Sequence, residues 1–222
     1  MYMKKKTVLL GATAVMLVAA MSIGGMLAYF TDTDTKENTF TVGDVEITLT
    51  EPSWTEDSYI ANPGVPVAKD PIITNVGAND AYVRMKVVLS DGMAWMLAIE
   101  DKYGENFDLA TVFGGHDETK WSRVDYAGVP AEYDINTDTL TYTYNYIGGV
   151  LENGEFTEPL FTTVTMPALF DNDDIAGFGE DGFTITVIGE AIQAEGFDTM
   201  DEALETLAEV EVLPAATTPT EP

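Results

Sequence analysis

The sequence predicts a mainly β fold of antiparallel strands with a few short helices. Three observations carry that reading: apolar and polar residues alternate with a period of two in several short runs, Gly, Pro and Asn turn signals part those runs at sandwich-like spacing, and helical stripes are few and short.

From Phe40 the alternation sets Phe40, Val42, Val45, Ile47 and Leu49 against Glu46, Thr48 and Thr50, which predicts one or two strands bent at Gly43. Pro52 to Pro71 is rich in proline and contains Asn62-Pro63-Gly64, so it reads mostly as turn and extended loop. Strands resume at Ile72–Thr74 and Ala81–Leu89, separated by the turn Asn75-Val76-Gly77. Met93–Ile99 consists of good helix formers, and Asn106–Phe113 predicts a second helical turn stopped by Gly114-Gly115; together they read as an insertion over the sheet. Trp121–Asp125, Ala131–Asp134 and Thr139–Tyr146 follow as strands, the last placing Leu140, Tyr142, Tyr144 and Tyr146 on one face. Leu160–Thr165 and Phe183–Ile188 complete about eight strands. Asp198–Leu207 closes the fold as a short helix, with Asp198 as cap and an apolar stripe of Met200, Ala203, Leu204 and Leu207.

The two ends differ from this middle. Lys4, Lys5 and Lys6 precede an uncharged stretch from Thr7 to Leu27, with small residues crowding toward Ala28; this predicts a signal peptide over 1–28, general secretory export and a mature start at Tyr29. Left uncut, that stretch is long enough to anchor the chain in a membrane. Residues 29–212 then form a single domain, and 213–222 a Pro/Thr-rich disordered tail that lacks the Gly and apolar run of a sortase signal.

Composition bounds the function. Of the 222 residues 45% are hydrophobic, enough to build a core without disulfides, since the chain has no cysteine. The formal charge is −28; removal of residues 1–28 takes three lysines and no acid, leaving −31. Such a polyanion repels nucleic acid and anionic lipid, and its natural partners are cations and basic surfaces.

Several segments in order then point to a family: Ala28-Tyr29-Phe30-Thr31-Asp32-Thr33 at the leader junction, Asn38-Thr39-Phe40-Thr41-Val42-Gly43-Asp44-Val45, Asn62-Pro63-Gly64, Lys69-Asp70-Pro71, Asn75-Val76-Gly77, and Glu190 to Phe197 near the end. In these the chain resembles the TasA/camelysin-like proteins of spore-forming and related Gram-positive bacteria, whose leaders are cut by a dedicated signal peptidase. The resemblance covers both ends and the first third; Met93 to Pro159 matches no pattern. It implies an antiparallel β-sandwich of jelly-roll type, secretion, and a place in extracellular matrix, where TasA-like subunits form fibres by lending an N-terminal strand to a neighbour. It also brings a competing activity, because camelysin is classed as a surface metalloprotease.

The residues give that activity no support. A common zinc protease needs two histidines one helical turn apart and a glutamate base, and this chain has the single His116, in the loop Gly114-Gly115-His116-Asp117-Glu118, where it reads as a solvated side chain. A serine triad would need the same histidine and lacks a nucleophile elbow, and paired carboxylates are lost in a background of 38 acids. No catalytic residue and no cofactor-binding residue is assigned. The one metal candidate is calcium at Asp171, Asp173 and Asp174, although the spacing is not that of an EF-hand loop and a solvated acidic turn is the simpler reading. Trp54, Tyr59, Trp95 and Trp121 would stack on sugars if exposed; core packing is their usual fate.

The expected function is therefore a secreted structural component of the cell surface or biofilm matrix, self-associating through Asn38–Leu49 and meeting other matrix components. A camelysin-like metalloprotease and a monomeric surface adhesin or binding module stand beside it.

Overall fold

The computed structural model describes residues 41–42, 45–54, 62–104, 107–125, 131–178 and 182–211. The leader, residues 38–40 of the expected first strand, Tyr59 and the tail 213–222 lie outside them, so the cleavage after Ala28 is not addressed by the fold.

The strands are β1 (Thr41–Val42), β2 (Ile47–Thr50), β3 (Pro66–Ala68), β4 (Ile72–Asn75), β5 (Ala81–Leu89), β6 (Phe113–Gly114), β7 (Trp121–Arg123), β8 (Glu132–Asp134), β9 (Thr139–Tyr146), β10 (Thr163–Thr165) and β11 (Ile185–Gln193). The helices are α1 (Gly92–Tyr103), α2 (Asn172–Ala176) and α3 (Met200–Glu211), with a 3-10 turn at Leu109–Val112. The molecule is mainly β, as its alternation predicts.

The larger sheet has the order β1, β11, β5, β9, β7, with β8 also on β9. Its centre is the nine-residue register of β11 on β5, from Ile185 opposite Leu89 to Gln193 opposite Ala81, and the pairing of β5 with β9 from Arg84–Asn145 to Leu89–Leu140. All described pairings are antiparallel except β1 on β11, where Thr41 and Val42 lie beside Ala191 and Ile192 in parallel. The second layer holds β2 on β4 and β3, β10 and β6 in order. Residues 66–75 run antiparallel to 156–165 through both groups: Pro66 pairs with Thr165, Lys69 N donates to Thr162 O, Leu160 N to Pro71 O, and Thr74 bridges Phe156.

The alternation explains the core. Val83, Met85, Val87 and Leu89 of β5 face inward beside Tyr142, Tyr144 and Tyr146 of β9 and Ile185 and Val187 of β11, and Val45, Ile47, Ile73, Phe113 and Phe161 meet them from the other layer. The layers approach so closely at Gly189 that a Cβ there would stand 3.2 Å from Ile73 Cδ1 and 3.4 Å from Ile47 Cδ1. This arrangement is compatible with a jelly-roll sandwich. On the outer face α3 buries Ala203, Leu204 and Leu207 against Ile192 and Tyr82, and beneath it the neighbours Arg84 and Glu190 form a buried ion pair, with Lys86 3.0 Å from the same carboxylate.

Several boundaries differ from the sequence reading for local reasons. The stretch Pro52–Pro71 contains β3, which can start on a proline because Pro66 opens it. The expected helix Met93–Ile99 extends to Tyr103, and its N-terminus is capped from a distance: Asp91 is left-handed at φ 56 with no side-chain cap bond, while Asp138 of the β8–β9 hairpin accepts from Gly92 N at 2.8 Å and Met93 N at 2.9 Å. The second helical turn is a 3-10 turn. The last strand runs to Gln193 rather than Ile188, because Gly189 marks a close approach of layers and not a stop. The acidic turn expected at 171–174 is instead the capped start of a short helix, because Asp171 and Asp174 satisfy its first N–H groups reciprocally.

Candidate functional site

The motifs behind the family resemblance are built into structure. Asn75 is fully buried: its Nδ2 donates to Asn79 O at 2.9 Å and Leu151 O at 2.8 Å, and its Oδ1 accepts from Gly77 N at 3.0 Å. Gly77 is required there, since a Cβ would stand 2.5 Å from Glu46 N. The pair Asn75/Gly77 thus ties the start of β2, the end of β4 and the loop before β10 into one knot. Lys69, 2% exposed, pairs with Glu51 at 2.7 Å and lies 4.6 Å over the Trp54 ring, while Asp70 accepts from Ser53 N and Oγ at 2.6 and 2.7 Å. Gly64, at φ 76, lets the Asn62-Pro63-Gly64 turn bond Met166 O from its N–H at 2.9 Å.

The calcium candidates sit at the start of α2 in a reciprocal cap. Asp171 Oδ1 accepts from the N–H groups of Asp173 and Asp174, and Asp174 Oδ2 accepts from Asp171 N. Lys102 at the end of α1 places its ammonium 2.9 Å from Asp171 and 3.5 Å from Asp174. Its hydrogen bond holds the Asp171 carboxyl down at about 2, and the same bond raises the Lys102 ammonium. Asp173 is exposed. Of the tryptophans proposed for sugar stacking, Trp95 is buried among Phe170, Phe178 and Phe183, Trp121 is buried edge-on to Tyr146, and Trp54 is half-buried under Lys69.

His116 departs from the expected solvated loop side chain. It is half-buried, its Nδ1–H donates to Leu160 O at 3.1 Å, and its ring rests 5.1 Å from that of Tyr144. It forms one wall of a cleft of about 560 Å³ that opens where the two layers part, between β6 and β7. Phe113 and Phe161 come from one layer, Trp121 and Tyr144 from the other, and the rim carries Asp108, Glu118, Arg123 and Asp125. Arg123 Nη1 donates to Asp108 Oδ2 at 2.7 Å, and its Nε lies 3.5 Å from Asp125 Oδ1. Burial works against the Arg123 charge, but the bond and charge of Asp108 outweigh it and raise the group; burial also pushes the Tyr144 phenol up to about 12.

Beside the cleft, Glu158 accepts from Tyr146 Oη at 2.5 Å and pairs with Lys120 at 2.7 Å. Lys120, then Tyr146, lower its carboxyl to about 2. Sequence reasoning named His116 and Glu118 of this group but missed Asp108, Arg123, Asp125 and Tyr144. The signal was the inward parity of Tyr144 on β9, which sets the facing β7 register, Arg123 opposite Tyr144.

The cleft brings together aromatic side chains, one histidine, one arginine and three carboxylates. Among the described residues no group of three His, Cys, Asp or Glu side chains converges on a metal position, and the single histidine of the chain cannot supply a two-histidine zinc motif. Also among the described residues, no helix is long and apolar enough to cross a membrane.

Residues 2–109 match the family model described as Camelysin metallo-endopeptidase, Peptidase_M73. No curated protein matches the chain. The matched span ends at the edge of the cleft, so of the rim residues only Asp108 falls inside it.

Proposed function

Residues 2–109 match the camelysin family model, and from that match we propose that the chain is a secreted structural subunit of the cell surface or extracellular matrix, polymerising by exchange of its N-terminal strand. A camelysin-family domain indicates a surface or matrix protein. The finer reading is supported by the way the matched segment is used: its Lys69-Asp70-Pro71 and Asn75-Val76-Gly77 motifs are engaged in hydrogen bonds within the fold.

The observation that carries strand exchange is β1. Among the described residues it pairs in parallel with Ala191 and Ile192 at the sheet edge, and no other described strand pairs along that edge of β11. An edge strand can be replaced by the same strand of a neighbour at small cost, because backbone hydrogen bonds join the pair whatever the side-chain charge. The formal charge of −28 opposes association, so acid, salt and divalent cations promote it.

Deletion of residues 29–44, followed by light scattering and electron microscopy at low and high salt, tests this. Loss of fibres in the deletion supports exchange. Fibres formed equally well without the segment, or by neither protein under any condition, reject it and leave a monomeric surface protein. The printed family description keeps the protease reading in view: casein or gelatin hydrolysis abolished by a chelator, by protein purified to homogeneity, would replace the structural reading.

A further inference from the structure

We propose that the cleft between β6 and β7 docks a basic, extended segment of another protein, with a lysine or arginine side chain seated among Asp108, Glu118 and Asp125. Three features of the cleft select that ligand.

The first is charge. Asp108 and Asp125 pair with one guanidinium, that of Arg123, and Glu118 lines the same cleft, so these groups keep two negative charges in excess. Glu118 is exposed and makes no ion pair among the described residues. A compact metal ion does not suit them, because the carboxylates are spread along the rim and no three converge. An ammonium or guanidinium on a flexible stem reaches such dispersed acceptors in turn, and Arg123 already shows the geometry, bridging Asp108 and Asp125.

The second is shape. A volume of about 560 Å³ takes two or three side chains, within the usual range of about 300–1,000 Å³ for binding clefts. Its floor comes from Phe113, Phe161 and Tyr144, against which the methylene stem of a lysine packs while its head stays at the rim.

The third is backbone. β7 ends the larger sheet and β6 ends the second layer, and the outer edge of each has no partner strand among the described residues. The mouth therefore lies between two sheet edges, where Trp121 N donates to Asp117 O at 2.9 Å and Phe113 N to Ala110 O, and a slot between two strand edges favours an extended peptide over a free amine. The N-terminal strand of a second copy is a poor occupant, since Asp32, Asp34, Glu37, Asp44 and Glu46 surround its single Lys36. The site is thus separate from strand exchange, and its failure leaves that proposal standing.

Calorimetric titration of the full secreted chain with the peptide acetyl-Lys-Gly-Lys-Gly-Lys-amide at low salt tests the assignment. Saturable one-to-one binding is expected, weakened about two- to five-fold by Glu118→Gln and again by Asp125→Asn, the range of a single exposed ion pair. Thr111→Trp, which fills the cleft without changing charge, abolishes it. The charge-matched pair Asp201→Asn and Glu205→Gln, on the exposed side of α3, leaves the affinity unchanged. No saturable heat, equal weakening by the α3 pair, indifference to Thr111→Trp, or binding of cellotriose in place of the peptide overturns the proposal.

Discussion

Asn75 offers the sharpest test of the idea that the family motifs are structural. In Asn75→Ala three side-chain hydrogen bonds vanish in a site with no solvent access. Two of the partners keep a second bond, since Gly77 N also donates to Glu46 O at 2.9 Å and Leu151 O also accepts from Ala81 N at 3.0 Å. At about 1 kcal/mol for each lost bond the total is about 3 kcal/mol. For a domain of this size that lowers the melting temperature by about 6–12 °C. Asn75→Asp keeps the volume but turns both donor positions into acceptors, so its carboxylate faces the carbonyls of Asn79 and Leu151. Burial and those carbonyls raise its folded-state pKa above the unfolded value of about 3.9, so the destabilisation is small at low pH and grows as pH rises through the folded pKa. Thermal melts of both variants from pH 3 to 8, with circular dichroism as the probe, measure this. A neutral-pH loss under about 1 kcal/mol for Asn75→Asp, or a loss independent of pH, would refute the reasoning.

Three further outcomes follow from named contacts. Trp95→Ala opens the cluster of Phe170, Phe178 and Phe183 and costs about 3–5 kcal/mol in denaturant unfolding, whereas Trp95→Phe costs much less, because Trp95 Nε1 has no protein partner among the described residues to lose. The Glu158 carboxyl is depressed to about 2 by Lys120 and Tyr146, so its contribution is full above the unfolded pKa and is lost as pH falls through about 2; the deficit of Glu158→Gln against the parent in thermal melts is therefore present at neutral pH and closes toward pH 2. Calcium at Asp171, Asp173 and Asp174 would have to displace the Lys102 ammonium, so added calcium should raise the melting temperature of Lys102→Met more than that of the parent, and an equal response in both would reject Lys102 as the occupant.

The parts of the fold that could be read in advance are those where one physical signal dominates. Thr139–Tyr146 alternates cleanly because one face is core and the other is not, and both its ends were placed correctly. Ala81–Leu89 and the stripe of α3 follow the same logic. What escaped depends on partners far away in sequence. The cap of α1 comes from Asp138, more than forty residues on, and β3 exists because 163–165 lies beside it. The cleft escaped for the same reason: Asp108, Arg123 and Tyr144 belong to three elements whose meeting is a matter of register. His116 carried too little local pattern to reveal that Leu160 O and Tyr144 hold it.

The absence of cysteine makes strand exchange directly measurable. Thr41 and Ala191 are register partners, close enough for a disulfide, whose Cα atoms stand about 4.4–6.8 Å apart. Two singly substituted chains, Thr41→Cys and Ala191→Cys, are mixed under polymerising conditions, oxidised and run without reductant. Exchange predicts covalent dimers joining one variant to the other, absent when either is oxidised alone and absent at low salt where the chains stay apart. Fibres that form without any such dimer, while the doubly substituted chain closes its bond within each monomer in the same fibres, would contradict it.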